Sequence, residues 1–256
     1  MEILSCSKNN NFLKSKGKTK SKKIILNGKA YFFKRDKVRA DYVKEFGHDT
    51  VEHIFYKNSI DKAKKDNMDK FLNFPIKMIN CNGYNMYLYK MISKDYTNSY
   101  ISSLSDKSLF LDYTIQLCLE VFYLNHELGY FHNDFAWNGL WNVMIDKNYP
   151  GKISFGNFDY DVKDNRIRLI DFGHTRKYQF LRTKEFYTRD SKRKNFKFIS
   201  EVFCAYYICM KMKKFISGDK WDNYKLFINK LEQNNIPMNM KNFDELIIKS
   251  LINLNS

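Results

Sequence analysis

The stretch from Leu109 to Asp134 constrains this chain more than any other. Residues 109–128 read as its strongest helix. Apolar side chains recur there at three- and four-residue steps, through Ile115, Leu119, Val121 and Phe122, and Gly129 supplies a stop. A helix this apolar is expected to form the spine of the larger part of the fold. It delivers Gly129-Tyr130-Phe131-His132-Asn133-Asp134-Phe135, so Asp134 falls just after a rigid element. Further on, Leu169-Ile170-Asp171-Phe172-Gly173 puts Asp171 just after a short apolar strand. Two acids at the ends of rigid elements, each beside a turn, suit a site that handles phosphate and Mg²⁺. One carboxylate can take a proton from a hydroxyl while the other holds the metal.

The first third of the chain reads as β structure with one helix. Ile24-Ile25-Leu26, Asn27-Gly28 and Lys29-Ala30-Tyr31-Phe32-Phe33-Lys34 form a hairpin pattern. Asn-Gly favours the turn with two positive φ angles, and β formers flank it. The basic run at residues 14–23 precedes it and is expected in the loop leading into its first strand; taken alone it would suggest a flexible arm or a nuclear signal. Residues 49–58 read as a helix capped by Asp49 or Thr50. A second strand pair, residues 74–80 and 84–92, flanks Asn82-Gly83. Residues 93–108 are polar and read as linker and short helix. Residues 146–165, rich in Asp, Asn and Gly, read as a surface insertion, after which Arg166–Ile170 restores a strand. Residues 195–214 suggest a buried helix, and 221–233 and 242–254 two amphipathic ones.

Composition narrows the class. At 256 residues, with 17% aromatics and three prolines, the chain can bury a real core as one large domain or two lobes. No run of about 18 uncharged apolar residues occurs, so no membrane span is expected. Met1–Ser7 lacks the charged-then-apolar pattern of a signal peptide, which points to a cytoplasmic or nuclear protein. Cys6, Cys81, Cys118, Cys204 and Cys209 are scattered, as reduced thiols are, with no disulfide or zinc pattern. The net charge of +16 has two readings: the Lys- and Asn-rich composition of an AT-rich genome, or a polyanionic partner.

The ordered set of hairpin, lysine, helix, His-x-Asp and Asp-Phe-Gly resembles protein kinases. The likeness is specific over residues 129–173, extends over 24–128 and is generic beyond. It implies an α+β, two-lobed protein kinase-like fold, with residues 1–92 as a small β-rich N-lobe and 93–256 as a mainly helical C-lobe. By resemblance, Lys34, which fits the spacing better than its competitors Arg35 and Lys37, matches the lysine of the Val-Ala-Ile-Lys strand that holds the α and β phosphates, and Glu52, 18 residues on, matches its helix partner, with Glu45 as the competitor. Gly17 is the glycine available to the phosphate loop, where the family's G-x-G-x-x-G is missing. Lys90–Ser93 matches the hinge that carries adenine. Asp134 matches the catalytic base, Asp171 the metal ligand, and His132 a packing residue. The family's second metal ligand is an asparagine five residues after the base. Position 139 is Gly, with Asn138 one residue short and Asn142 three residues late; Asn142 is favoured because it directly precedes the apolar run Val143–Ile145.

The departures carry meaning too. Asn133 replaces the arginine that answers a phosphorylated activation loop, Ala136 replaces a γ-phosphate lysine, and no Ala-Pro-Glu follows Gly173. The resemblance implies ATP and Mg²⁺ as cofactors and transfer of the γ-phosphate to a hydroxyl, foremost a protein Ser or Thr. Three other readings stand beside it. One is a catalytically inactive kinase fold used as a binding module, and another a small-molecule phosphotransferase of the aminoglycoside type. The third is an acidic or nucleic-acid partner met through the basic run. The composition is also similar to that of kinase-like proteins of large DNA viruses.

Overall fold

The computed structural model describes residues 19–37, 51–81, 84–91, 109–132, 143–146, 149–177, 205, 208–209, 212, 219–233 and 240–255. Thr19–Leu26 (β1) and Lys29–Lys37 (β2) form the first hairpin, with Leu26 opposite Lys29. Asn27 (φ 49°) and Gly28 (φ 72°) both take the left-handed conformation that a two-residue turn matching the strand twist needs. Both strands are longer than the sequence suggests. β1 begins at Thr19, so residues 19–23 of the basic run belong to the ladder and not to the loop before it. β2 continues past Lys34 to Lys37. Lys77–Cys81 (β3) and Tyr84–Lys90 (β4) complete an antiparallel sheet in the order β1-β2-β4-β3. The expected turn at residues 82–83 and the expected boundary at 92–93 lie outside the described residues.

Alternation gives this sheet two faces. Phe33 packs on one with Ile24, Met86 and Leu88. Lys34 stands on the other, opposite Ser21 of β1 and Tyr87 of β4. That second face meets helix α1, Val51–Lys65, which runs well beyond the expected end at residue 58. Its buried side chains, Val51, Glu52, Phe55, Tyr56, Ser59 and Ala63, recur at helical steps and form one stripe toward the sheet.

Helix α2, Phe110–Phe122, is the spine that its apolar pattern predicts; every residue but Asp112 is buried. One π-helical turn, Tyr123–Glu127, extends it, and Gly129 (φ 73°) ends it. Tyr130–Phe131 (β5) pairs with Arg176–Lys177 (β10). Val143–Asp146 (β6) pairs with Arg166–Leu169 (β9). The buried amide of Gln116 on α2 accepts from Ile167 N (2.8 Å) and donates to Asn165 O (2.9 Å), satisfying backbone groups at the start of β9.

The segment expected as a surface insertion does lie between two paired strands, but its described part packs inward. Gly151–Phe155 (β7) and Phe158–Val162 (β8) form a hairpin whose Ile153, Phe155, Phe158, Tyr160 and Val162 are buried, while Lys152, Ser154, Asp159 and Asp161 face out. Phe158 meets Phe122 edge-on at 5.0 Å, and Phe155 meets Tyr123 at 5.0 Å. Ala205, Ile208, Cys209 and Met212 are buried, the described part of the helix expected over 195–214. Asp219–Gln233 (α3) and Met240–Asn255 (α4) realise the two expected C-terminal helices, and α4 lies against α2. His126 Nε2 sits 2.9 Å from Asp244 Oδ2 in a buried contact between the π-helical turn and α4.

Candidate active site

Lys34, Glu52 and Asp171, far apart in sequence, meet. Lys34 Nζ donates to Glu52 Oε2 at 2.8 Å and to Asp171 Oδ1 at 2.7 Å. Three elements make this possible: β2 aims Lys34 at α1, the first turn of α1 carries Glu52, and the end of β9 presents Asp171. β9 is held in place by backbone bonds to the segment after α1, with Leu169 N donating to Phe71 O (3.0 Å) and Asn73 N to Leu169 O (2.9 Å). Asp171 itself takes a left-handed backbone (φ 59°, ψ 69°). After this turn the Asp171 carboxylate reaches Lys34, and the next side chain packs on α1.

That next side chain, Phe172, is fully buried. It stacks on Phe55 of α1 at 4.7 Å and lies near Phe74 (6.3 Å), Tyr56 (5.9 Å) and the His132 ring (5.1 Å). His132 Nε2 contacts Ile170 O at 2.9 Å, so the His132 segment and the Asp171 turn are tied together, in keeping with a packing role. Gly173 passes directly under the cluster. A Cβ there would stand 3.4 Å from Asp171 Oδ1 and 3.8 Å from both Glu52 Oε2 and Lys34 Nζ.

Three residues that the sequence pattern does not single out complete the surroundings. Glu52 Oε1 accepts from Tyr56 OH (2.8 Å) and Tyr89 OH (3.3 Å), and these hydroxyls are 3.0 Å apart. The third is Asp36, two residues after Lys34 on the same face of β2, with Oδ2 3.5 Å from Nζ. The period-two signal of a strand could have found Asp36. The tyrosines cannot be assigned without knowing how α1 docks on β4.

Burial opposes the Lys34 charge, but Glu52, Asp171 and Asp36 outweigh it and hold its pKa well above the ordinary value. Burial pushes Glu52 up to about 7, with Lys34 pulling the other way and the Asp36 and Asp171 carboxylates adding to the rise. Burial and the neighbouring Glu52 raise Tyr56 and Tyr89. The Asp171 side chain differs: it is 46% exposed, whereas that of Glu52 is 1% exposed.

Gly17, Asp134, Asn138 and Asn142 lie outside the described residues, as does Ser93 at the end of the expected hinge. Among the described residues no group of three His, Cys, Asp or Glu side chains could hold a metal ion by itself. A Mg²⁺ ion, however, is commonly held by one or two carboxylates together with phosphate oxygens. The exposed Asp171 carboxylate, beside a cluster with more carboxylates than ammonium groups, is chemically suited to that arrangement. No helix among the described residues is long and apolar enough to cross a membrane.

The fold is that of protein kinases: α+β, with a small antiparallel sheet and one helix preceding a mainly helical part. It is similar to the crystal structure of the BubR1 kinase domain, with a TM-score of 0.55 and 11% sequence identity, over 94% of this chain and 82% of that one. No family model matches the sequence, and no curated protein matches it.

Proposed function

We propose that this protein is an ATP-dependent phosphotransferase that transfers the γ-phosphate of ATP to a hydroxyl, foremost a Ser or Thr hydroxyl of a protein. The observation that carries the reading is the bridge from Lys34 to both Glu52 and Asp171. It supports a role in which the Lys34 ammonium, oriented by a buried glutamate, meets phosphate oxygens next to an exposed carboxylate suited to Mg²⁺. In this reading Lys34 grips the α and β phosphates, Glu52 orients Lys34, and Asp171 with Asn142 holds the metal. Asp134 takes or orients the proton of the acceptor hydroxyl, and Gly17 lies in the loop over the phosphates. When bound, Mg-ATP supplies the phosphoryl group and neutralises charge on its oxygens. The chain's task is positioning and electrostatics, which phosphoryl transfer chiefly demands.

The test is phosphate transfer from γ-labelled ATP to protein and metabolite acceptors by wild type and Asp134→Asn. The reading predicts transfer by wild type and a loss of at least about a hundredfold in the variant. Equal background from both proteins removes the enzyme claim. It favours instead a kinase fold used for binding, which the three carboxylates already facing Lys34 would suit. Transfer to metabolites alone would mark a small-molecule phosphotransferase.

A further inference from the structure

The ammonium of Lys34 has three N–H bonds, and three carboxylates face it. Glu52 Oε2 (2.8 Å) and Asp171 Oδ1 (2.7 Å) take full hydrogen bonds, and Asp36 Oδ2 stands at 3.5 Å. Glu52 is built into the fold by two tyrosine hydroxyls and cannot leave without stranding them. Asp171 belongs to the proposed metal position. Asp36 makes the longest of the three contacts with Lys34, and its carboxyl lies against that of Glu52. Its place on β2 follows from strand geometry. Residues two apart share a face, so the register that aims Lys34 at α1 aims Asp36 there too.

We propose that Asp36 is a specificity-determining residue that competes with phosphate for Lys34, so that the site accepts a metal-complexed triphosphate and rejects a free one. The inference rests on the phosphotransferase reading of Lys34. An incoming phosphate oxygen that takes a hydrogen bond from Lys34 lies beside the Asp36 carboxylate, which stands 3.5 Å from Nζ. A free triphosphate brings its full negative charge against Asp36, Glu52 and Asp171, which among the described residues share the Lys34 ammonium. A Mg²⁺ complex brings less negative charge, so the Asp36 carboxylate weighs against it less. Asp36 thereby couples anion binding at Lys34 to the presence of a divalent cation, independently of the metal ligands themselves.

The experiment is calorimetric titration of wild type, Asp36→Asn and Asp36→Glu with ATP and with inorganic tripolyphosphate. Each ligand is used with Mg²⁺ and with chelator, and thermal melts check the fold. Asp36→Asn is expected to bind metal-free ATP and tripolyphosphate on the order of tenfold more tightly than wild type, with a much smaller gain for the Mg²⁺ complexes. Asp36→Glu keeps the charge and is expected to restore the wild-type preference. Unchanged or weaker metal-free binding by a folded Asp36→Asn overturns the inference and makes Asp36 a structural anchor for Lys34. Absence of any tripolyphosphate binding in all three proteins overturns it as well. Tighter metal-free tripolyphosphate binding by Asp36→Asn, with no phosphate transfer by wild type, would uphold the inference and sink the phosphotransferase reading.

Discussion

Replacing Lys34 by methionine keeps the length of the side chain and its apolar stem but removes the ammonium. Glu52 then faces Asp36 and Asp171 with no cation between them. In the wild-type protein Glu52 has a folded pKa of about 7 against an ordinary 4.5. Between those two values the folded state holds a proton that the unfolded chain has released. Stability therefore falls as pH rises, by about 1.4 kcal/mol per unit, and levels off above the folded pKa. Lys34 stays charged across this window, since its own pKa is raised above 10.5. Without Lys34 the folded pKa of Glu52 climbs further, and stability keeps falling where the wild type has levelled off. At about pH 6 Glu52 is protonated in both proteins, and the variant loses the pairings with half-exposed Asp171 and with Asp36 and a hydrogen bond to a neutral carboxyl, about 1–2 kcal/mol. At about pH 8.5 the loss grows to about 3 kcal/mol, because the variant alone must still ionise a buried carboxyl. Urea unfolding of both proteins at the two pH values reads these differences directly. A destabilisation of equal size at both would refute the argument that Lys34 carries the charge of Glu52.

Two further substitutions test how the site is supported. Phe172→Ala removes a fully buried ring from between Phe55, Tyr56 and Phe74, and is expected to cost about 3–5 kcal/mol in urea unfolding; a cost below about 1 kcal/mol would mean that the turn is not anchored there. Tyr160→Phe deletes the hydroxyl that donates to Asp112 on α2 and accepts from Asn255 on α4, for an expected loss of about 1–2 kcal/mol, and no change in the melting temperature would contradict the role given to the β7–β8 hairpin.

Local chemistry makes much of this fold legible in the amino-acid sequence. Asn27-Gly28 names its own turn, because few residue pairs accept two positive φ angles. The pairing of Lys34 with Glu52 is readable because a strand lysine followed 18 residues on by an acid at a helix start resembles the kinase interval. The helix ending at Gly129 announces itself by an apolar pattern that buries nearly all its length. The β7–β8 hairpin escapes such a reading for a physical reason. Its Asp, Asn and Gly residues belong to the outward face and the Gly156 turn (φ 54°), and they mask the alternation of Ile153, Phe155, Phe158, Tyr160 and Val162. Tyr56 and Tyr89 escape it because their roles exist only once α1 lies across the sheet. The extension of α1 to Lys65 is hidden by charged residues that line its solvent side.

The central claim is that Lys34 and Asp171 together form one binding site for a metal-complexed nucleotide. Calorimetric titration of Mg-ATP into wild type, Lys34→Ala and Asp171→Ala tests it most directly. The account predicts saturable binding that needs Mg²⁺ and weakens at least about tenfold in each variant, more than about 1.4 kcal/mol. Binding of equal strength in all three proteins, or in wild type with and without Mg²⁺, would contradict it.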